Sequence, residues 1–290
     1  MRTANTFLET EFDLSETSNH AMAGSKMKAK DLILNLFRTS PSSRWPVRIL
    51  IDVAQLFDIS ANSIRVTLSR LRSDDLIEQD LRGHYRLNWK YDPVRDWIDS
   101  WSKGETRTIS WNDQWLIVVP STHLPAKTFR ALDKACFRLG FRAFRNGFWV
   151  RPDNLAMPVI KMTELIEAMS GTSEFIISKL TETYVDGEAQ SFASLWKLRE
   201  LEEMYRRETN RLKGSVKDLD RAAEDIALRE SFLIGGDAIR RLALDPLLPP
   251  ELIDVAARSS YTDCAREYVA KYNKRWQDRF GSDTMDSLIS

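Results

Sequence analysis

The chain has 290 residues, of which 43% are hydrophobic, nine of them tryptophans; that is material for two or three cored domains and excludes an intrinsically disordered protein. Forty-two Lys and Arg against 42 Asp and Glu leave a formal net charge of zero, which excludes a protein that coats nucleic acid by charge alone, though not a small basic module on a more acidic remainder. Two cysteines far apart, Cys136 and Cys264, with no Cys-x-x-Cys pair, argue against a structural zinc site and predict buried free thiols rather than a disulfide, so no metal and no cofactor is expected.

Residues 1–27 are polar and aperiodic and predict a disordered tail. No stretch is apolar for long enough to span a bilayer and the start lacks a signal-peptide core, so a cytoplasmic protein with no membrane partner is expected. Residues 28–90 predict a first domain. Amphipathic helices at 31–38 and 47–57 are separated by a turn-rich loop at 39–46, and Pro46 suits the opening of the second helix. A third helix spans 61–72. Ile64, Leu68 and Leu71 fall at i, i+4 and i+7 and share a buried face, while Asn62, Val66 and Ser69 point the opposite way. Arg65, Arg70 and Arg72 flank that outer face, Ser60 is a good N-cap, and the segment carries no acid. Two short alternating runs around Gly83 follow, a hairpin with Arg82 and His84 near its tip.

Three helices and a hairpin in this order predict a winged helix-turn-helix, with the third helix in a DNA major groove and the wing against the backbone. The candidate DNA contacts are Ser60, Asn62, Ser63, Arg65, Val66, Ser69, Arg70 and Arg72 on the helix, and Arg82 and His84 on the wing. Arg can pair with guanine edges or phosphates, and Asn and Ser can bond bases or backbone. Taken alone, the third helix also reads as a solvated surface helix.

A linker helix is predicted within 91–110, where Val94, Trp97, Ile98 and Trp101 recur at helical spacing. Residues 111–183 follow a βαββαβ order: a strand at 115–119, a helix at 125–139, strands at 141–144 and 148–151 joined by Arg145-Asn146-Gly147, a helix at 155–169 and a strand at 174–180. Residues 184–290 predict helices at 191–212 and 217–233, a helix starting near Pro250 and a last one at 261–280, with Gly235-Gly236 as a turn and a rigid Leu-Pro run at 244–252. The fold class expected is therefore α+β: an N-terminal winged helix-turn-helix, a central ferredoxin-like βαββαβ domain and a C-terminal all-helical domain.

Catalytic groups are thin. His20, His84 and His123 have no partners at metal or triad spacing, and the first central strand runs out through 118–122 without the carboxylate a metal nuclease needs there. The chain is not expected to be an enzyme. Two alternatives to a DNA-binding regulator stay open: a nucleic-acid-processing enzyme built on the ferredoxin-like domain, and a protein–protein adaptor.

Several pieces in order are similar to one family: Ile59-Ser60, Ile64-Arg65 and Ser69-Arg70-Leu71; Tyr85-Arg86-Leu87; Trp115; Gly140-Phe141; 147–152; Leu244-Asp245-Pro246; and 248–252. Over roughly 30–280 the chain resembles the PaaX family of bacterial transcriptional repressors. The resemblance implies a one-component regulator that binds a double-stranded DNA operator as a homodimer and represses a catabolic or related operon. Arg65 and Arg70 occupy the family's basic positions. It further implies release by a small anionic effector such as an acyl- or aryl-CoA thioester. Such a ligand needs cations beside an apolar slot. The candidates are Arg142, Arg145 and Arg151 around Trp149, and Arg240 with Arg241; the alternative is that these arginines form ion pairs. On the effector reading, Arg151→Ala abolishes ligand-triggered release and spares DNA binding. The chain departs from the family at Asp75-Leu76-Ile77 and Arg82-Gly83-His84, which bear on the operator, and at 257–261, which bears on the effector.

Overall fold

A computed structural model describes residues 27–39, 44–80, 83–88, 93–121, 123–144, 147–181 and 192–281. All of the expected tail but Met27, which packs against the first core, lies outside the described residues, as do Arg82 and Arg145. The protein mixes helices with two small antiparallel sheets. In chain order the elements are α1 (Ala29–Thr39), β1 (Trp45–Pro46), α2 (Val47–Gln55), α3 (Ala61–Ser73), β2 (Ile77–Gln79) and β3 (His84–Leu87). Next come α4 (Pro93–Asp99), a 3-10 segment (Ser100–Arg107), β4 (Trp115–Pro120), α5 (Ala126–Arg138), β5 (Arg142–Phe144), β6 (Phe148–Pro152), α6 (Val159–Ser170) and β7 (Phe175–Leu180). A short 3-10 turn (Phe192–Leu195) leads to α7 (Leu198–Leu219), α8 (Glu224–Ala243) and α9 (Val255–Phe280).

Two compact units result: Met1–Tyr91 with Ser215–Gly236 and Glu267–Ser290, and Asp92–Gly214 with Asp237–Arg266. The expected all-helical domain over 184–290 is thus shared between the two units. The reason lies in where its apolar residues go: Leu228, Phe232, Leu233, Trp276 and Phe280 join the core built by α1, α2 and α3. Phe57 meets Phe232 edge-on at 5.5 Å, and Trp276 lies 5.6 Å from Phe232. The expected linker helix likewise belongs to the second unit, because Val94, Trp97 and Trp101 are all buried; Gly104, at φ 55°, kinks the 3-10 segment that continues it.

In the first unit, Leu32, Ile33 and Phe37 of α1, Leu50 and Val53 of α2, and Ile64, Leu68 and Leu71 of α3 form the core, each 1% exposed or less. Asp58 makes the turn between α2 and α3 at φ 56°, a left-handed conformation that Asp tolerates. The three-stranded sheet has the order β1-β3-β2, with Trp45 opposite Tyr85 and Ile77 opposite Leu87. The segment 39–46, expected as loop throughout, therefore ends in a strand. Two residues are too few to carry an alternating pattern, and Trp45 is instead fixed by stacking on Phe37 at 6.5 Å.

In the second unit the sheet order is β5-β6-β4-β7. Val118 pairs with Trp149 and Leu116 with Arg151, so these four share one face, which α5 covers: the Trp149 ring lies 5.2 Å from Phe129 and its indole N–H donates to Asp133. The opposite face carries Trp115, packed against Phe192 at 5.2 Å and Trp196 at 6.1 Å.

Three boundaries differ from expectation. The expected break near 212–217 is absent: α7 continues to Leu219, whose side chain is buried. Gly235 and Gly236 lie inside α8 rather than at a turn. Two glycines cost a helix about 1 kcal/mol each, and the aliphatic residues on either side keep it packed; Gly235 also lies beneath the Tyr268 ring, where an added Cβ would stand 3.6 Å away. In place of one helix from near Pro250 and another from 261, a single helix begins at Val255, where Asp254 caps it by accepting from the Ala257 N–H at 3.1 Å.

Candidate nucleic-acid interface

Helix α3 is fixed from both ends and from below. The Ser60 hydroxyl accepts from the Ser63 N–H at 3.2 Å, and the two hydroxyls lie 3.0 Å apart. At the C-terminal end Arg72 donates to Gln79 of β2 at 2.7 Å. Ile64, Leu68 and Leu71 hold the inner face in the core. Ser60→Ala should cost about 1 kcal/mol of stability, the usual value of an N-cap, measurable as a shift in the urea midpoint of the full chain.

This leaves Asn62, Arg65, Val66, Ser69 and Arg70 exposed on the outer side, as expected. Among the described residues, neither the Arg65 nor the Arg70 side chain has a hydrogen-bond or ion-pair partner, and the helix carries no acidic residue to neutralise them. Ser60 and Ser63 are exposed but serve the cap first, and Arg72 is held by Gln79, so these three position the helix more than they extend from it. Ser73, which the sequence reading passed over, shares the outer face two turns beyond Val66; the signal was its i+7 spacing.

The wing is built around Asp80. Its carboxylate accepts from the His84 N–H at 3.0 Å and from Arg44 at 3.2 Å, and Gly83 turns the chain at φ 76°. His84 is half-buried, with Nδ1 3.5 Å from the same carboxylate. It therefore faces into the hairpin rather than away from it. Arg44 was not foreseen here; β1 brings it to the wing, and that strand left no pattern. Across the wing, Arg86 pairs with Glu78 at 2.5 Å.

Of the arginines expected to hold an anionic effector, Arg142, Arg151, Arg240 and Arg241 are among the described residues, and each has partners within the fold. Arg151 is 1% exposed. It donates to the carbonyls of Pro152 and Leu139, to that of Pro246 at 3.3 Å, and to the Asn154 amide oxygen at 3.2 Å. Burial pulls its guanidinium down to about 9, so it is still charged at neutral pH. Arg142, pulled down to about 10 by burial, donates to the Phe141 carbonyl and lies 4.2 Å over the Phe137 ring. Trp149 is buried, its N–H committed to Asp133. Arg240 and Arg241 both grip Asp237, at 2.6 and 3.0 Å, with Arg211 as a third partner at 2.9 Å. Burial alone would raise the Asp237 carboxyl, but those hydrogen bonds and charges outweigh it and hold the group below its ordinary range.

The motif pieces of the second unit meet around the same arginine. Gly140 sits at φ 83° against Pro246, where a Cβ would come within 2.9 Å of backbone, and its carbonyl accepts from Trp196. Asp245 accepts from the Tyr205 hydroxyl at 2.5 Å and from the Leu247 N–H at 2.8 Å. Burial and that carboxylate push the Tyr205 phenol well up, which keeps it a donor. Arg258 forks onto Glu105 at 2.7 and 2.8 Å and donates to the Leu248 carbonyl at 2.8 Å. The Leu-Asp-Pro and Leu-Pro-Pro runs are thus a hydrogen-bonded structural knot.

Among the described residues no group of three or more His, Cys, Asp or Glu is placed to hold a metal ion, and no helix is long and apolar enough to cross a membrane. Cys136 and Cys264 are not joined in a disulfide; the first is buried and the second partly so.

No protein-family model matches the chain, and no curated protein matches it. Among solved structures it is similar to the uncharacterized protein Rv0674 from Mycobacterium tuberculosis, at 21% sequence identity and a TM-score of 0.54, over 86% of this chain and 99% of that one. At that identity the likeness is one of fold.

Proposed function

We propose that the protein is a DNA-binding transcriptional regulator of the PaaX type, a homodimeric repressor whose first unit is a winged helix-turn-helix. The observation that carries this is the outer face of α3: two exposed arginines with no partner among the described residues, set beside Asn and Ser on a helix without acids, its other face anchored in a core. Guanidiniums left unpaired in water are available for phosphates or guanine edges at little desolvation cost. The sheet order β5-β6-β4-β7 supports a ferredoxin-like second unit, since the first and third strands are central and the second and fourth are edges. An adaptor surface would carry a contiguous apolar patch, and on α3 only Val66 is an exposed large apolar residue. Release by a small effector stays part of the proposal, but its site is not assigned to Arg142, Arg151, Arg240 or Arg241.

The test is recovery of duplexes from sheared host DNA by the full-length protein at about 0.15 M salt. A recovered palindrome, with half-sites a whole number of helical turns apart, is the expected result and would shortlist the effector through the genes beside it. Random fragments released steeply by salt would reduce α3 to a non-specific contact and overturn the proposal.

A further inference from the structure

Val66 is out of place by ordinary surface chemistry. At about 100° per residue it stands roughly 170° from the mean direction of Ile64, Leu68 and Leu71, at the crest of the exposed face. Its side chain is 42% exposed. Its helical neighbours Asn62, Ser69 and Arg70 are polar and exposed. A β-branched residue is a poor helix former, and on the solvent side it gains nothing in return. A protein partner would be met by a larger apolar area than one valine. A lone apolar group ringed by hydrogen-bonding side chains instead mirrors the major groove, whose floor carries donors and acceptors and one apolar feature, the C5-methyl of a pyrimidine. The position fits too: Val66 lies in the N-terminal half of α3, the part of a recognition helix that meets base edges.

We infer that Val66 reads a pyrimidine C5-methyl in the half-site bound by α3, with Arg70 and Asn62 on the neighbouring base pairs or phosphates. This rests on the DNA-binding reading above. Thymine and 5-methylcytosine both present that methyl.

The experiment starts from an unmethylated random duplex library selected by the full-length protein. The selected duplex is remade with each dT replaced in turn by deoxyuridine, and separately with 5-methylcytosine at each dC. Affinities are read by fluorescence anisotropy. One dT-to-deoxyuridine change per half-site should weaken binding roughly fourfold, the factor one buried methyl supplies. Val66→Ala, which folds because alanine is the better helix former, should bind the dT and deoxyuridine duplexes alike. A gain of similar size from 5-methylcytosine, with every deoxyuridine tolerated, would support the methyl contact and assign it to methylated cytosine. A protein that selects a sequence yet ignores every methyl overturns the inference and leaves the DNA-binding reading standing. Methyl discrimination that survives in Val66→Ala overturns it as well. Selection of no sequence fells both readings together.

Discussion

Arg151→Ala should destabilise the full chain by more than about 3 kcal/mol in chemical denaturation, rather than produce a stable protein deaf to an effector. Two effects oppose each other. Holding a guanidinium in the interior is costly, as its pKa of about 9 records, and deleting it relieves that cost. The alanine, however, leaves the carbonyls of Leu139, Pro152 and Pro246 and the Asn154 amide oxygen short of a donor. Each buried acceptor so abandoned costs roughly 1–3 kcal/mol, and the vacated volume adds a cavity term. The sum of these exceeds the relief. Arg151→Met restores most of the volume but none of the donors and should fall between wild type and alanine. A base whose folded pKa is depressed weakens the fold fully below that pKa, and the penalty fades only as pH climbs above about 9. The loss on substitution should therefore be flat between roughly pH 6 and 8. An unchanged denaturation midpoint, combined with lost release from DNA by an anion, would return Arg151 to the effector site.

The same residue shows where sequence reasoning stops. In the run Phe148 to Pro152 a charged side chain is most simply read as facing water, and an arginine beside a tryptophan as a ligand clamp. Register puts it inside: Arg151 pairs with Leu116, on the face that α5 covers. That fact depends on strand pairing across 35 residues of chain and leaves no local mark. Helix α3 is the opposite case. Its buried residues, its cap and its exposed arginines follow from a 3.6-residue period within a dozen residues, so α3 was legible before any tertiary contact was known. The hairpin after it was legible for the same reason, through Gly83 and alternation. What a period cannot say is which body a helix packs on. The stripes of α8 and α9 mark helices but not the body they pack on, because Phe232 and Trp276 have no sequence feature that names Phe57 or the α1–α3 core as their partner. The glycine pair at 235–236 failed on energy: about 2 kcal/mol of lost propensity is outweighed by packing along a 20-residue helix.

Replacing both Arg65 and Arg70 by alanine should lower affinity for the selected operator on the order of a hundredfold or more, with no loss of fold. Each contact is worth roughly 1–3 kcal/mol if it reads a base edge. The two side chains are about 140° apart around α3 and make no contact in common, so their losses should add. Neither side chain has a partner among the described residues, so nothing buried is orphaned and the far-UV circular dichroism and denaturation midpoint should match wild type. The single variants assign the roles. A base-reading arginine, when removed, relaxes specificity at one position and leaves the salt dependence nearly unchanged. A phosphate-binding arginine, when removed, weakens all sequences alike and lowers the salt slope by about one. Arg70→Lys sharpens the distinction, because an ammonium keeps the charge but cannot make the bidentate pair with guanine. A double variant that holds the operator as tightly as wild type would mean that α3 does not face the duplex, and the regulator reading would go with it.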